Sequence, residues 1–273
     1  MLRERVIAEG IVSAGDVLDP AGATDDELRL VHDDDYITRF NAGTLSPAEI
    51  RRIGFPWSPE LVERSRRAVG GTIAATRHAM THGIAMNLAG GTHHAFPDHG
   101  EGFCVYNDVA VAIRLLQRDG LVRRAAVVDL DVHQGNGTHA IFAGDASVFT
   151  FSMHGGKNYP FHKVAGTLDV ELADRTGDDE YLRALASVLP GVLAAAAPDL
   201  VVYIAGADPH EGDALGRLSL TFDGLAQRDA YVLGQCREVG IPVAVTIGGG
   251  YGRNVADTVS IHTGTARIAA TFA

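Results

Sequence analysis

Four short apolar runs each end in polar, chemically capable residues, and this repeat constrains the fold more than any other feature. Ile84 to Leu88 leads into Gly90-Gly91-Thr92-His93-His94-Ala95, and Ala125 to Val128 leads into Asp129-Leu130-Asp131-Val132-His133. Leu200 to Ala205 is followed by Asp208, and Val243 to Thr246 by Gly248-Gly249-Gly250-Tyr251. In a parallel α/β sheet the C-terminal ends of the strands share one edge, where ligands and active sites are built. The four runs therefore predict one site that gathers histidines, carboxylates and a tyrosine, a layout suited to metal-assisted hydrolysis.

The text between the runs alternates helix with strand, as βαβ units and a parallel sheet require. Residues 1–40 read as short helices, one opened by Asp25-Asp26-Glu27, and 41–57 as a loop. Ser58-Pro59-Glu60 is a helix start, an N-cap followed by proline at the first helical position; that helix runs towards Thr81 and stops at Gly83. Further helices are expected over about 107–118, near His139, from Asp178-Asp179-Glu180, from Thr221 to Glu238 and from about Arg253. Pro190 is expected to kink or split the helix that opens at Asp178. Ser147 to Phe151 reads as a strand, followed by a loop from Met153 to Thr167. The stretches 89–105, 152–177 and 206–221 are longer than structural connections need, which favours function.

Composition narrows the partners. The net charge of −11 over 273 residues argues against non-specific binding to nucleic acid or anionic membrane. Cationic substrates, such as lysine side chains or polyamines, are compatible with it. Two cysteines, Cys104 and Cys236, make no disulfide framework. The N-terminus has no apolar core of signal-peptide length, and Leu189 to Ala207 is interrupted by Pro190, Gly191, Pro198 and Asp199, so no membrane span is expected. A reducing cytoplasm is the expected compartment.

Asp131 and His133 stand two apart, so at a strand end they can converge on one cation. With Asp208 they offer one nitrogen and carboxylate oxygens, suited to Zn²⁺ or a similar divalent ion, and three protein ligands leave positions open for water and substrate. The alternative is an ordinary loop ion pair. His93 and His94 can serve as further ligands, as core histidines or as acid and base. Tyr251 can donate to a developing oxyanion, or simply pack.

Taken together, these stretches resemble the histone deacetylase family. The matching segments are residues 90–95, Gly-Phe-Cys-Val-Tyr-Asn-Asp at 102–108, Asp-Leu-Asp-Val-His-Gln-Gly-Asn-Gly at 129–137, Gly-Ala-Asp at 206–208 and Gly-Gly-Gly-Tyr at 248–251, in the family's order. His133-Gln134-Gly135-Asn136-Gly137 and the segment 211–216 look most like the class IV branch and its bacterial relatives.

The resemblance implies a three-layer α/β/α arginase–deacetylase fold with a parallel central sheet. It implies a single domain over 1–273 that lacks the family's N-terminal first strand. It implies one Zn²⁺ on Asp131, His133 and Asp208, with His94 as general base and acid, His93 beside it, and Tyr251 polarising the amide carbonyl. Asp129 would orient His93 and help hold a structural K⁺ with Ser152 and the carbonyls of Asp131, His133 and Met153. Asn136, where the class I branch has an aspartate, would face His94. Gly102, Phe103 and Tyr159 would line an acyl-lysine tunnel. The implied reaction is zinc-dependent removal of acetyl or longer acyl groups from lysine side chains. Gly90, Gly91, Gly102, Gly155 and Gly156, placed where the tunnel should pass, are expected to leave room for a long chain.

Three rival readings follow from the same residues. A two-metal ureohydrolase shares the fold but needs further carboxylates, where this chain has Gly135 and His210. A non-catalytic acyl-lysine or protein-binding module would not need His93, His94 and Tyr251. An acetylpolyamine hydrolase would use the same chemistry on a smaller amine.

Overall fold

A computed structural model describes residues 1–273. Six strands, all parallel, form one sheet in the order β1-β6-β5-β2-β3-β4: β1 (Ile84–Asn87), β2 (Ala125–Asp129), β3 (Val148–Gly155), β4 (Leu168–Leu172), β5 (Leu200–Ala205) and β6 (Val243–Ile247). The four apolar runs are strands β1, β2, β5 and β6, side by side apart from their crossovers. Their polar followers therefore emerge at a common edge.

Strand alternation sorts the apolar residues onto two faces. Ala126, Val128, Val201, Tyr203 and Val245 join a core with α8 (Asp178–Ala196), α9 (Phe222–Glu238) and α10 (Val255–Ala270). Ala125, Val127, Val202, Ile204 and Ala244 join another with α5 (Pro59–His82) and α6 (Asp108–Arg118). The result is three layers, and β2 and β5 are buried on both faces, as central parallel strands are.

The helix starts follow local chemistry. Ser58 Oγ accepts from the Leu61 amide at 3.1 Å and Pro59 fills the first helical position of α5. Asn107 caps α6 and Thr221 caps α9, each accepting from an amide three residues on. The remaining helices are α1 (Leu2–Ala8), α2 (Asp25–Leu28), α3 (Asp34–Ala42), α4 (Pro47–Ile53) and α7 (Asn136–Ile141). No helix is long and apolar enough to cross a membrane.

Four expectations need correction. Residues 41–57 are not simply a loop, because α4 occupies 47–53, opened by a reciprocal cap between Ser46 and Glu49. Strand β3 runs on to Gly155, and the expected loop before residue 177 contains β4, an edge strand paired only to β3. Helix α8 passes through Pro190 without splitting. Pro190 has no N–H for the Ala186 carbonyl; the Tyr231 hydroxyl approaches that carbonyl instead, at 3.5 Å.

A third core cluster, rich in aromatic residues, supports the loop after β1. Tyr36, Phe40 and Tyr106 pack together with ring centroids 5.6–6.3 Å apart. The Tyr36 hydroxyl donates to the Val105 carbonyl at 2.9 Å. Carbonyls at the end of α4, of Arg52 and Ile53, accept from the amides of Gly102 and Phe103 at 3.2 and 2.8 Å. The N-terminal helices thereby position one wall of the site.

Candidate active site

Asp131, His133 and Asp208 meet beyond the ends of β2 and β5. One ligand-type atom from each lies within 4.8 Å of the others, and all three residues are buried. His133 Nδ1 sits 3.0 Å from Asp131 Oδ1 and 3.1 Å from Asp208 Oδ2. The other carboxylate oxygens are held by backbone: Asp131 Oδ2 accepts from the Gly249 amide at 2.5 Å, and Asp208 Oδ1 from the Val132 amide at 2.9 Å. Burial, and then the neighbouring Asp131, push the Asp208 carboxyl up to about 7. Two buried carboxylates facing one imidazole nitrogen are costly to ionise alone. A divalent cation removes that conflict, so the donor set fits a metal.

The loops carrying these ligands are fixed from behind. Arg228 is fully buried on α9 and donates to the carbonyls of Leu130 and Gly206 at 3.2 and 2.7 Å. Its charge is balanced by Asp229, which also accepts from Tyr203 and Thr265. Neither residue is marked by the sequence motifs; a charged pair inside a helix reads as surface until the fold buries it.

The histidine pair is buried beside the ligands, with ring centroids 4.1 Å apart. His93 Nδ1 bonds Asp129 Oδ2 at 2.6 Å, and His94 Nδ1 bonds Asn136 Oδ1 at 2.7 Å. The two environments push the rings apart in basicity. Burial lowers His93, but the charges of Asp129 and Asp131 outweigh it and raise the ring to about 9. Burial lowers His94 well below its ordinary value, and the charges of His93 and His133 add to that. Asp108 anchors the preceding turn, accepting from the amides of Gly91 and Thr92 at 3.0 and 2.7 Å.

Tyr251 follows the glycine turn after β6, its ring 6.1 Å from that of His133 and 5.6 Å from that of Phe103. Asp213 holds it in place, accepting from the Tyr251 amide at 2.6 Å and from the amides of Leu215 and Gly216 at 2.8 Å. Burial, then Asp131 and Asp208, raise its hydroxyl above the ordinary range, so it stays a donor. Opposite, Tyr159 stands edge-on to His94 at 4.9 Å. Gly102 lies between them: a Cβ there would come within 2.6 Å of His94 Cδ2 and 3.1 Å of Tyr159. Gly102 and Phe103 both have positive φ, 56° and 66°, in a tight turn that sets Phe103 at the rim, 39 % exposed. Gly102 and Tyr159 thus stand against His94, and Phe103 against Tyr251.

Glycine spacing elsewhere misleads. Gly90 faces Asp108 and Thr72, Gly91 the Ile247 carbonyl, Gly155 Asn158 and Gly156 Glu171. Of the five glycines expected along a tunnel, only Gly102 borders the site; the rest permit close packing. Ser152 and Met153 lie on β3, and Ser152 is paired in register with Asp129. The two positions where a ureohydrolase would need further carboxylates are occupied by Gly135 and His210. A Cβ at Gly135 would crowd Asp129 Oδ2, and the His210 ring packs tilted against Phe222 with centroids 4.4 Å apart. The structure contains one group able to hold a metal. Glu101 joins the site without any sequence signal: its Oε1 accepts from Asn136 Nδ2 at 2.6 Å and from the Tyr159 hydroxyl at 2.8 Å.

Buried metal-type ligands at the edge of a parallel sheet, beside a histidine pair and a tyrosine, define an arginase–deacetylase type of protein. The histidine-pair and Asp-x-His stretches narrow that class. A profile described as the histone deacetylase domain matches residues 1–266. The chain belongs to the histone deacetylase family. It is 48 % identical over 262 residues to an uncharacterised protein of Picosynechococcus sp., covering 96 % of this chain and 87 % of that one. It is 32 % identical to histone deacetylase 2 of Arabidopsis thaliana, over 93 % of this chain and 68 % of the relative. With the acetoin utilization protein AcuC of Bacillus subtilis it shares 34 % identity, over 77 % of this chain and 59 % of that protein. The crystal structure of the HDA15 HD domain superposes with a TM-score of 0.79 over 99 % of this chain and 81 % of that one, at 24 % identity. The three-layer fold expected from the sequence is therefore the fold observed.

Proposed function

We propose that this chain is a zinc-dependent amidohydrolase that removes acyl groups from lysine side chains of peptides or proteins, as a single cytoplasmic domain of the class IV type. The observation that carries the reading is the buried Asp131–His133–Asp208 trio, set between His94 on one side and Tyr251 on the other. Zinc held by those three side chains would supply Lewis acidity toward the amide carbonyl and the attacking water.

The protein's own groups then divide the work. Gly102, Phe103 and Tyr159 hold the acylated side chain and exclude water from its stem. With its Nδ1 proton donated to Asn136, His94 presents Nε2 as a base. That nitrogen takes a proton from water as it attacks and returns it to the departing amine. Tyr251 donates its hydroxyl hydrogen to the oxygen of the tetrahedral intermediate. His93, kept protonated by Asp129, adds positive charge beside the developing anion. No protein hydrogen bond reaches the carbonyls of Asp131 or His133. Together with Asp129, Ser152 and the Met153 carbonyl they are suited to hold a structural K⁺ beneath the site.

Turnover of an acetyl-lysine peptide by zinc-loaded protein tests the reading. Asp208→Ala is expected to lose bound zinc and turnover together while keeping its fold by circular dichroism. A variant that still turns over, or native protein inert toward acetyl-, longer acyl-lysine and acetylpolyamine substrates, would contradict it.

A further inference from the structure

The acceptor beside His94 is an amide, and an amide has two unlike ends. Asn136 can turn either its oxygen or its NH₂ group toward His94 by a half rotation of the side chain. With Oδ1 toward His94, the imidazole must carry its hydrogen on Nδ1, and Nε2 keeps a free lone pair. With Nδ2 toward His94, the hydrogen moves to Nε2, which can then no longer accept a proton. A carboxylate at 136 would have no such ambiguity, since both of its oxygens accept.

The structure resolves the ambiguity through Glu101. Asn136 Nδ2 donates to Glu101 Oε1 at 2.6 Å, in a line that continues from His94 Nδ1 and Asn136 Oδ1 at 2.7 Å. The reverse orientation would set the Asn136 oxygen against a carboxylate oxygen, two acceptors with no hydrogen between them. The Glu101 side chain is 15 % exposed. Burial opposes its ionisation, but His99, 3.7 Å away, and the bonds from Asn136 and Tyr159 outweigh that and hold the carboxyl below its ordinary range. It is therefore an acceptor only. Its place is rigid: the Cys104 amide closes a turn on the Glu101 carbonyl at 2.9 Å, and the next two amides are held by the end of α4.

We propose that Glu101 is a positioning residue that locks the Asn136 amide and, through it, the His94 tautomer with a free Nε2. Its second bond, from the Tyr159 hydroxyl, ties the cleft wall to the same line, so wall and base are aligned by one carboxylate. The catalytic consequence rests on the deacylase reading; the tautomer does not. In this chain a charge one residue further out thus does for an asparagine what an aspartate at 136 would do unaided.

The test uses the zinc-loaded protein and two readouts. Glu101→Met removes the acceptor at similar length. It is expected to lower kcat by about 10–100-fold, the usual cost of removing an outer partner, with zinc content little changed and any rise in KM from the released Tyr159 smaller than the fall in kcat. In ¹⁵N-histidine spectra, with His94 assigned by loss of its signals in His94→Gln, wild type should show the Nδ1–H form and E101M a gain of Nε2–H. Adding Asn136→Asp to E101M should restore most of kcat, because aspartate accepts at either oxygen. Asn136→Asp alone, set against Glu101 charge to charge, should be slower than the double variant. Should the methionine not fit, Glu101→Ala is read in the same assays. Wild-type tautomer in both Glu101 variants, or no recovery of kcat in the double variant, would overturn the proposal. Absence of turnover in wild type would sink the deacylase reading alone, since the spectra still decide the role of Glu101.

Discussion

Tyr251 is the side chain whose role a single atom can test. Its backbone amide is tied to Asp213 and its ring packs on Phe103, so removing the hydroxyl should leave its position intact. Tyr251→Phe is expected to lower kcat about 10²–10³-fold, the usual cost of one oxyanion donor, with zinc content and melting temperature unchanged. A variant with wild-type kcat would remove Tyr251 from the mechanism. Tyr251, His94 and the Asp-x-His pair were legible in the sequence because each follows an apolar run at a strand end. Glu101, Asp213 and Arg228 were not, because their value lies in partners far along the chain. Arg228 meets Leu130 from 98 residues away, and nothing local marks it as buried. The glycines erred in the other direction: a missing side chain signals close approach, but not whether substrate or protein makes it.

Helix α8 shows how an element can keep a local fault. Pro190 sits exposed within it and deprives the Ala186 carbonyl of its donor. Tertiary packing of Leu185, Leu189 and Leu193 into the main core holds the helix together across the gap. Pro190→Ala restores the amide. Against that, it loosens the unfolded chain. The helix gain of up to about 3 kcal/mol exceeds this loss, so a net stabilisation of about 1–2 kcal/mol is expected in urea titration. An unchanged or lower midpoint would mean that the proline is accommodated without cost. The expected kink or split came from weighing proline above the apolar period on either side of it. The two elements missed entirely had local signals: Ser46-Pro47-Ala48-Glu49 is a capping box, and Leu168-Asp169-Val170-Glu171-Leu172 alternates as a strand does. Both are short and flanked by turn residues, so neighbouring glycines and prolines outweighed them. Parallel pairing was readable from the βαβ rhythm; the strand order was not, because crossovers leave no local trace.

The assembled protein buries histidines that must stay neutral, and this sets its response to acid. Burial lowers His32, His154 and His262 to about 4, and His94 well below its ordinary value. Unfolded, each takes a proton near 6.5. Below that value the unfolded chain binds more protons, so stability is full above about 6.5 and is lost as pH falls toward 4. Each such proton is worth about 1.4 kcal/mol per pH unit. Asp208, held protonated up to about 7 in the metal-free protein, offsets one of them. Metal-free protein should therefore unfold at lower urea at pH 5 than at pH 6.5, and equal midpoints would show that these histidines are not buried in neutral form. The fold brings together one buried group able to hold a metal, and the proposed chemistry depends on it. The most direct measurement is acetyl-lysine turnover as chelated protein is titrated with zinc. Activity should rise from near zero to a plateau at one equivalent per chain. A plateau only at two equivalents, or full activity in the chelated protein, would contradict the account.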